Sequence, residues 1–369
     1  MRKLALLLGS LLVVASASAK EVVPAPVVVE EAPVQVIEKE VIVYRDKEEG
    51  FRPNGNVGLE YRYFDKTEGQ KYGEWSDGDL DKYSRAQLEG TVNMTENQSF
   101  YFRVRNRHSL DASEAGKGSN DEGTQLRARY FYNHGNLGDS KVNFTSSVWY
   151  EDGYTGTQHI QYQARFDFAE YLFNNDFIKT TTAVIAPRFK YVWDSNNDAY
   201  TSKLGFYIDF INKLPFGFET ELEIDGLEYN MYGQDKRVGV NPNDTVDDDF
   251  SASIGLYLYR NTNLYSAEKL SVDWFAKGGY DTYNWNSEKV NGYGEEIKLA
   301  GKDISSRYEK ANYQAYITTD VKATYQATND VKVYAGVGAE YRNWAVTNEN
   351  SATNWRWQPF VFAGFKTTF

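Results

Sequence analysis

The 369-residue sequence has no cysteine, only eight prolines, three histidines and three methionines. Zero cysteine excludes disulfides, thiol catalysis, cysteine-ligated metals and a lipid anchor on a cysteine. No run of about 20 apolar residues occurs beyond the N-terminus, which excludes helical membrane spans. Basic residues are outnumbered, 40 against 52 acidic ones. That balance argues against a nucleic-acid partner, because a phosphate backbone requires a basic face. The chain is 41% hydrophobic, too apolar for disorder, yet no helix-period stretch stands out. Aromatic residues are abundant, at 16%, with 29 Tyr and 21 Phe. Many aromatics, few prolines and evenly spaced short segments point to an all-β object.

Residues 1–19 read as an export signal. Arg2 and Lys3 form its charged start, Leu4 to Val14 its apolar centre, and Ala17-Ser18-Ala19 its small-residue cleavage site. Cleavage is expected between Ala19 and Lys20. An N-terminal helix of the fold is the alternative. Losing Arg2 and Lys3 would take the net charge from −12 to −14. Residues 20–50 place Pro24, Pro26 and Pro33 among Val and Glu and read as an extended periplasmic segment. Residues 51–369 read as one barrel.

From Asn54 onward the period is two. Gly58, Glu60 and Arg62 alternate with Val57, Leu59, Tyr61 and Tyr63. Ala86, Leu88 and Val92 alternate with Arg85, Gln87, Glu89 and Thr91. Phe100, Phe102 and Val104 alternate with Arg103, Arg105 and Arg107. One face of each segment is apolar and the other polar. A soluble sandwich and a membrane barrel both produce that pattern. Segment length favours the barrel, because strands of 10 to 18 residues exceed the usual five or six and cross a bilayer at a tilt.

Connections also alternate in length. Short ones lie near Thr95–Asn97, His134–Asp139, Asn174–Phe177, Asn212–Pro215, Asn261–Ala267 and Ala327–Asp330. Long polar ones include Asp65–Leu80, Ser109–Gly123, Met231–Asp247 and Tyr283–Arg307. Short turns on one side and long loops on the other mark outer-membrane barrels. Hairpin counting predicts a transmembrane antiparallel up-and-down β-barrel of about fourteen strands, with twelve to sixteen acceptable. The predicted strands are 54–64, 82–94, 98–108, 124–133, 140–150, 157–168, 179–193, 201–211, 217–229, 249–259, 269–283, 308–326, 331–344 and 354–369, with a bulge expected near Gly226.

The last segment alternates through Trp357, Pro359, Val361, Ala363, Phe365, Thr367 and Phe369, which resembles the signal read by the outer-membrane barrel-assembly machinery. Aromatics at strand ends, among them Tyr63, Tyr83, Tyr130, Tyr150, Tyr191, Trp193 and Tyr280, are expected to form interfacial girdles.

The opening Met1 to Val14 and the stretches Val41-Ile42-Val43-Tyr44-Arg45-Asp46, Arg52-Pro53-Asn54-Gly55, Lys190-Tyr191-Val192-Trp193, Gly278-Gly279-Tyr280-Asp281-Thr282-Tyr283 and Trp355-Arg356-Trp357-Gln358-Pro359 are similar to the FomA-like major outer-membrane porins of fusobacteria. The matches are scattered along essentially the whole chain, while loops 65–80 and 231–247 have no counterpart. The resemblance implies a voltage-sensitive, non-specific diffusion channel, often trimeric, with outer-membrane lipid and small hydrophilic solutes as partners. It implies no cofactor, metal or enzymatic role.

Carrying the alternation inward assigns pore-lining basic residues: Arg85, Arg103, Arg105, Arg107, Arg127, Arg129, Arg188 and Lys190. It likewise assigns pore-lining acidic residues: Glu89, Glu219, Glu221, Glu223 and Asp225. In a fourteen-strand barrel strand nine lies opposite strand two, so a basic wall would face an acidic wall across a constriction. A plain wet wall is the alternative. Crowded arginines need partners, and Glu89 is the expected one. Spacing and tilt give a backbone radius of ~14 Å and, after side chains, a free diameter of ~10 Å. The third loop, Asp152 to Thr157, is short, which leaves Asn284 to Arg307 as the only long late loop for a constriction.

The rival readings are weaker. An enzyme needs a His beside a Ser or Asp. His108 is expected to face outward, His134 to lie in a turn, and His159 to point inward beside Gln161, none with such a partner. Asp247-Asp248-Asp249 with Asn241 and Asp244 offers oxygens for surface calcium, although a solvated acidic loop accounts for them. A plugged structural or adhesive barrel would usually have fewer strands. A sugar-specific channel would use inward aromatics, for which Tyr207, Tyr257, Tyr259, Phe275, Tyr316 and Tyr334 are candidates. The flattest outward faces, Val331, Val333, Ala335, Val337 and Ala339 with Ala86, Leu88 and Gly90, place a trimer contact on the seam of strands thirteen, fourteen, one and two.

Overall fold

A computed structural model of the chain describes residues 50–68, 82–110, 122–154, 156–196, 198–238, 243–292, 298–299, 302–303, 308–346 and 355–369. The expected cleavage site Ala19–Lys20 and nearly all of the proline-bearing segment lie outside the described residues. Fourteen antiparallel strands close on themselves into one barrel. In chain order they are β1 (Asn54–Phe64), β2 (Tyr83–Asn93), β3 (Gln98–Ser109), β4 (Gly123–Asn136), β5 (Asn143–Asp152), β6 (Thr157–Asp167) and β7 (Lys179–Asp194). There follow β8 (Tyr200–Lys213), β9 (Phe218–Arg237), β10 (Thr245–Ser266), β11 (Leu270–Asn286), β12 (Ala311–Gln326), β13 (Val331–Val346) and β14 (Arg356–Thr368). Each strand pairs with its chain neighbours, and β1 pairs with β14, from Asn56 opposite Thr368 to Phe64 opposite Phe360. The Gly55 amide donates to the Phe369 carbonyl at 3.0 Å and the Phe369 amide to the Gly55 carbonyl at 3.1 Å. Among the described residues no helix is long and apolar enough to cross a membrane.

The concave face is recognisable by crowding, since side chains pointing inward converge and lose accessible surface. On β5 and β6, Val148 and Ile160 are 42% and 45% exposed, whereas Trp149, Gln161 and Gln163 are buried. The same division recurs on most of the strands, whereas both faces of β3 and β4 are largely half-buried. Leu59, Tyr61, Leu204, Phe206, Leu256, Leu258, Ile317, Val337 and Val361 stand out on the convex face. The interior is therefore polar and the exterior apolar, the reverse of a soluble protein.

The alternation holds until a bulge resets it. On β9, Ile224 lies opposite Ile208 and Leu227 opposite Phe206, so β9 carries one extra residue at Asp225-Gly226, as expected near Gly226. The same insertion appears against β10. Below it Glu219, Glu221, Glu223 and Asp225 share the inner face. Above it Glu228 and Asn230, both buried, take that face, while Tyr229 and Met231 point out. A second bulge interrupts β11 between Tyr280 and Thr282.

Inward glycines make room for rings. A Cβ at Gly336 would lie 2.4 Å from the Phe362 ring, one at Gly338 2.5 Å from Phe360, and one at Gly364 2.7 Å from Tyr334. These rings lie against the wall of β13 and β14 where side chains are missing.

Some expectations need correction. The turn placed at Asn261–Ala267 is strand, because β10 runs to Ser266. His134 is also in a strand, β4, and not in a turn. The loop expected from Met231 shortens, since β9 continues to Arg237 and β10 begins at Thr245. Asp247, Asp248 and Asp249 are consequently strand residues. Tyr83 is not a girdle residue: its ring stacks at 4.3 Å on Phe64, within the interior cluster that includes Phe360.

Candidate functional site: the two walls of the lumen

The basic stretch of interior spans β1 to β5. The registers place Arg85 opposite Arg107, Glu89 opposite Arg103, and Arg103 opposite Arg127. Facing arginines at about 5 Å repel, and carboxylates from the flanking strands answer part of that charge. Glu60 on β1 lies 3.3 Å from Arg85 and 3.0 Å from Arg62. Glu151 on β5 pairs with Arg127 and accepts from Gln125 at 2.8 Å. Glu89, the expected partner, does not fill that role. It accepts hydrogen bonds from Gln87 at 2.9 Å and from Tyr101 at 3.3 Å.

The remaining arginines of this wall rest on amides and rings. Arg103 donates to Gln125 at 2.9 Å and Arg105 to Gln87 at 2.8 Å. The Arg129 guanidinium sits 3.4 Å from the Trp149 ring centre and 5.6 Å from that of Tyr101. Arg107 lies 5.0 Å from the Tyr154 ring centre.

The acidic stretch lies on β8 and β9. Glu223 accepts from the Tyr207 hydroxyl at 3.0 Å and stands opposite the buried Asp209 in register. Tyr257 and Tyr259 of β10 stand opposite Glu221 and Glu219. Arg103 and Glu223 each lie five residues in from the short-turn ends of their strands, Gln98 and Phe218. Strands β2 and β9 are seven strands apart by either route around the barrel.

Between these walls lies a network the sequence did not reveal. Arg188 of β7 crosses β8 and reaches β9. It donates to Asp225 Oδ1 at 2.5 Å, to the Asp225 carbonyl at 2.9 Å and to Glu228 Oε2 at 2.5 Å. Lys203 approaches Glu228 from the other side at 3.0 Å. The crossing passes Gly205, where a Cβ would come within 2.7 Å of Glu228. The bulge supplies two inward carboxylates only three residues apart, and the guanidinium caps the carbonyl that the bulge frees. Arg188 is on the inner face as expected, but it is only 2% exposed and bound into the wall. Lys190, on the same face of β7, is half-buried.

The inward aromatics are engaged by their neighbours. Tyr207 is bonded to Glu223 and lies edge-on to Trp149, and Tyr257 packs edge-on to Tyr316. Tyr334 covers Gly364. They form no continuous free stacking surface among the described residues.

His134 Nε2 lies 2.9 Å from Ser146 Oγ, a contact that alternation had not placed within reach. Its ring stacks on Phe144, and Ser146 contacts the Tyr162 hydroxyl at 3.2 Å. No carboxylate orients this imidazole among the described residues, so no Ser-His-Asp geometry arises. His108 meets Glu122 at 2.9 Å. His159 shares the inner face with Gln161 on β6, opposite Glu151 in register. Asp249 is buried and accepts from Asn230 and Tyr232 at 2.6 and 2.7 Å. Asn241 lies outside the described residues. No metal-holding cluster of His, Cys, Asp or Glu occurs among the described residues.

Val361 and Phe365 on the outer face of β14, and Phe369 just past its end, are exposed, with Ala363 and Thr367 between them. The loop from Asn284 toward Arg307 begins only after β11 ends at Asn286. It contains two short ladders, Asn291 with Glu309 and Lys298 with Asp303.

No protein-family model matches the chain, and no curated protein matches it. Solved structures that resemble it include a bacterial polysaccharide outer membrane secretin, at 9% identity over 85% of this chain and 97% of that one, with a TM-score of 0.37. The outer membrane channel DcaP of Acinetobacter baumannii aligns at 11% identity over 86% and 96%, with a TM-score of 0.36. The anion-selective porin of Comamonas acidovorans aligns at 11% over 86% and 98%, with a TM-score of 0.32. The barrel assignment rests on the strand pairing itself.

Proposed function

We propose that this chain is an outer-membrane porin, a water-filled channel for passive diffusion of ions and small hydrophilic solutes. The observation that carries the reading is the inverted polarity of the barrel. Large apolar side chains are exposed on the convex face of eleven of the fourteen strands, with the outward Leu88, Phe102 and Leu126 of β2, β3 and β4 half-buried, and charged and polar side chains line much of the concave face. Soluble monomers rarely expose contiguous apolar patches beyond a few hundred Å². An apolar belt of this extent is stable only against lipid, and a charged lumen of this width only against water. The FomA-like resemblance agrees with this reading.

The arginine stretch and the acidic stretch act as opposite poles. Water ordered between them disfavours apolar solutes and admits hydrated polar ones. Residues 1–19 direct export. Val361, Ala363, Phe365, Thr367 and Phe369 present the outward pattern that the barrel-assembly machinery reads. Three copies associate through the low-profile seam of β13, β14, β1 and β2, and crosslinking in membranes through other strands would refute that contact.

The test is planar-bilayer conductance of the refolded chain. Stepwise openings are expected, with selectivity moving toward cations when Arg103, Arg105 and Arg107 are replaced by Ser. Intact barrels that insert without conducting would sink the porin reading.

A further inference from the structure

We infer that Arg103, Arg105 and Arg129 form a transit site for multivalent phosphate-type oxyanions inside the lumen. The inference deepens the porin reading and rests on it only for its electrical readout.

Carboxylate partners divide the inward arginines into two sets. Arg85 has Glu60, Arg127 has Glu151, and Arg188 has Asp225 and Glu228. Arg103, Arg105 and Arg129 have none among the described residues. Their contacts are the Gln125 and Gln87 side-chain oxygens and the rings of Trp149 and Tyr101. A carboxylate would cancel the charge. An amide oxygen or a ring face holds a guanidinium in place and leaves its charge standing.

The three groups also share one arc of the wall, on β3 and β4. Arg103 and Arg105 are two residues apart on one face of β3, hence about 7 Å along the strand. Arg129 stands opposite Tyr101, one diagonal step from Arg103. A guanidinium has five N–H donors in a planar fork. Arg103 and Arg105 each commit one of these to a glutamine, and the Arg129 guanidinium lies 3.4 Å from the Trp149 ring centre, which leaves further donors for a ligand. Guanidinium forks with standing positive charge, spaced along one arc of the wall, fit a multivalent oxyanion, whose oxygens accept paired N–H bonds. Chloride gains the charge but not the fork geometry. The acidic residues across the lumen push an anion toward this side.

The site is tested on the refolded full chain by two measurements. In the first, inorganic phosphate and then pyrophosphate are titrated into a chloride electrolyte at constant ionic strength during single-channel recording. Saturable block of the chloride current is expected, stronger for pyrophosphate. The half-blocking concentration should rise about tenfold for each of R103Q, R105Q and R129Q, with the strand content and thermal unfolding of the barrel unchanged. In the second, calorimetric binding of pyrophosphate to the barrel in detergent micelles reads the same site without any current. Binding that is present and lost in the triple variant supports the site even if the barrel does not conduct, an outcome that removes the porin reading alone. Absence of block together with absence of binding overturns the inference. So does binding that survives in the triple variant.

Discussion

Two groups of arginines line one interior and are held in opposite ways. Arg188 is buried, bonded to two carboxylates and a carbonyl, and spans three strands. Arg103, Arg105 and Arg129 lie on an adjacent arc of the wall and are steadied by glutamines and rings. A paired, buried guanidinium is a strut whose removal leaves charges stranded in the wall. One held by amides and rings, without a carboxylate, costs little to remove. Residue type does not separate these roles; the partner does.

The contrast can be broken at its strongest point first. Replacing Arg188 with Ala leaves the buried Glu228 with Lys203 alone of its two ion-pair partners, and loss of one partner from a buried pair costs about 3–5 kcal/mol. Thermal unfolding of the refolded barrel should reflect that loss, and Glu228→Ala should approach it. A drop comparable to that of R103Q would collapse the distinction. Next in size is Gly205→Ala. A Cβ there would lie 2.1 Å from the Leu227 carbonyl oxygen, so β8 and β9 must part. A loss of about 1–3 kcal/mol is expected, the usual range for overpacking. Below that comes Trp149→Leu, which removes the ring under Arg129 for about 0.5–2 kcal/mol and should loosen phosphate block more than it lowers the unfolding temperature. The smallest structural effect belongs to R105Q, expected within about 0.5 kcal/mol of the parent.

A chain without cysteine also permits a clean test of phase on β9. Single cysteines at Glu223, Asp225, Glu228 and Asn230 should react with a hydrophilic thiol reagent entering from the lumen, and those at Ile224, Leu227 and Tyr229 should not. Strict every-second-residue labelling through 223–230 would erase the bulge and with it the two-carboxylate clamp.

The strands were legible because a closed wall with one apolar and one polar face writes those faces into alternate residues. All fourteen expected segments overlap observed strands. Alternation fails where the wall leaves the apolar belt. Lys236 and Arg237 still pair with β10 but carry no apolar face, so β9 reads as ending near 229 when it continues to Arg237. Inward positions such as Arg103 and Glu223 follow from phase alone. Ion partners do not, because Glu60, Glu151 and Glu228 meet their arginines only through register between strands. Glu228 is hidden twice, since it lies past the residue that resets the phase. The Ser146 contact of His134 depends in the same way on the pairing of β4 with β5.

The pairing of β1 with β14 has a consequence for how the molecule comes into being. Every other pair in the barrel joins segments adjacent in the chain, whereas this one joins Val57 to Thr367. Until those two strands meet, each offers a full row of unsatisfied amides and carbonyls, which neither lipid nor a partly formed wall can answer. The hairpins can assemble in sequence from local contacts, but the last pairing carries the entropy of closing nearly the whole chain. Formation of the barrel is therefore gated at a single seam, and the backbone bonds between Gly55 and Phe369 are the latch at one end of it.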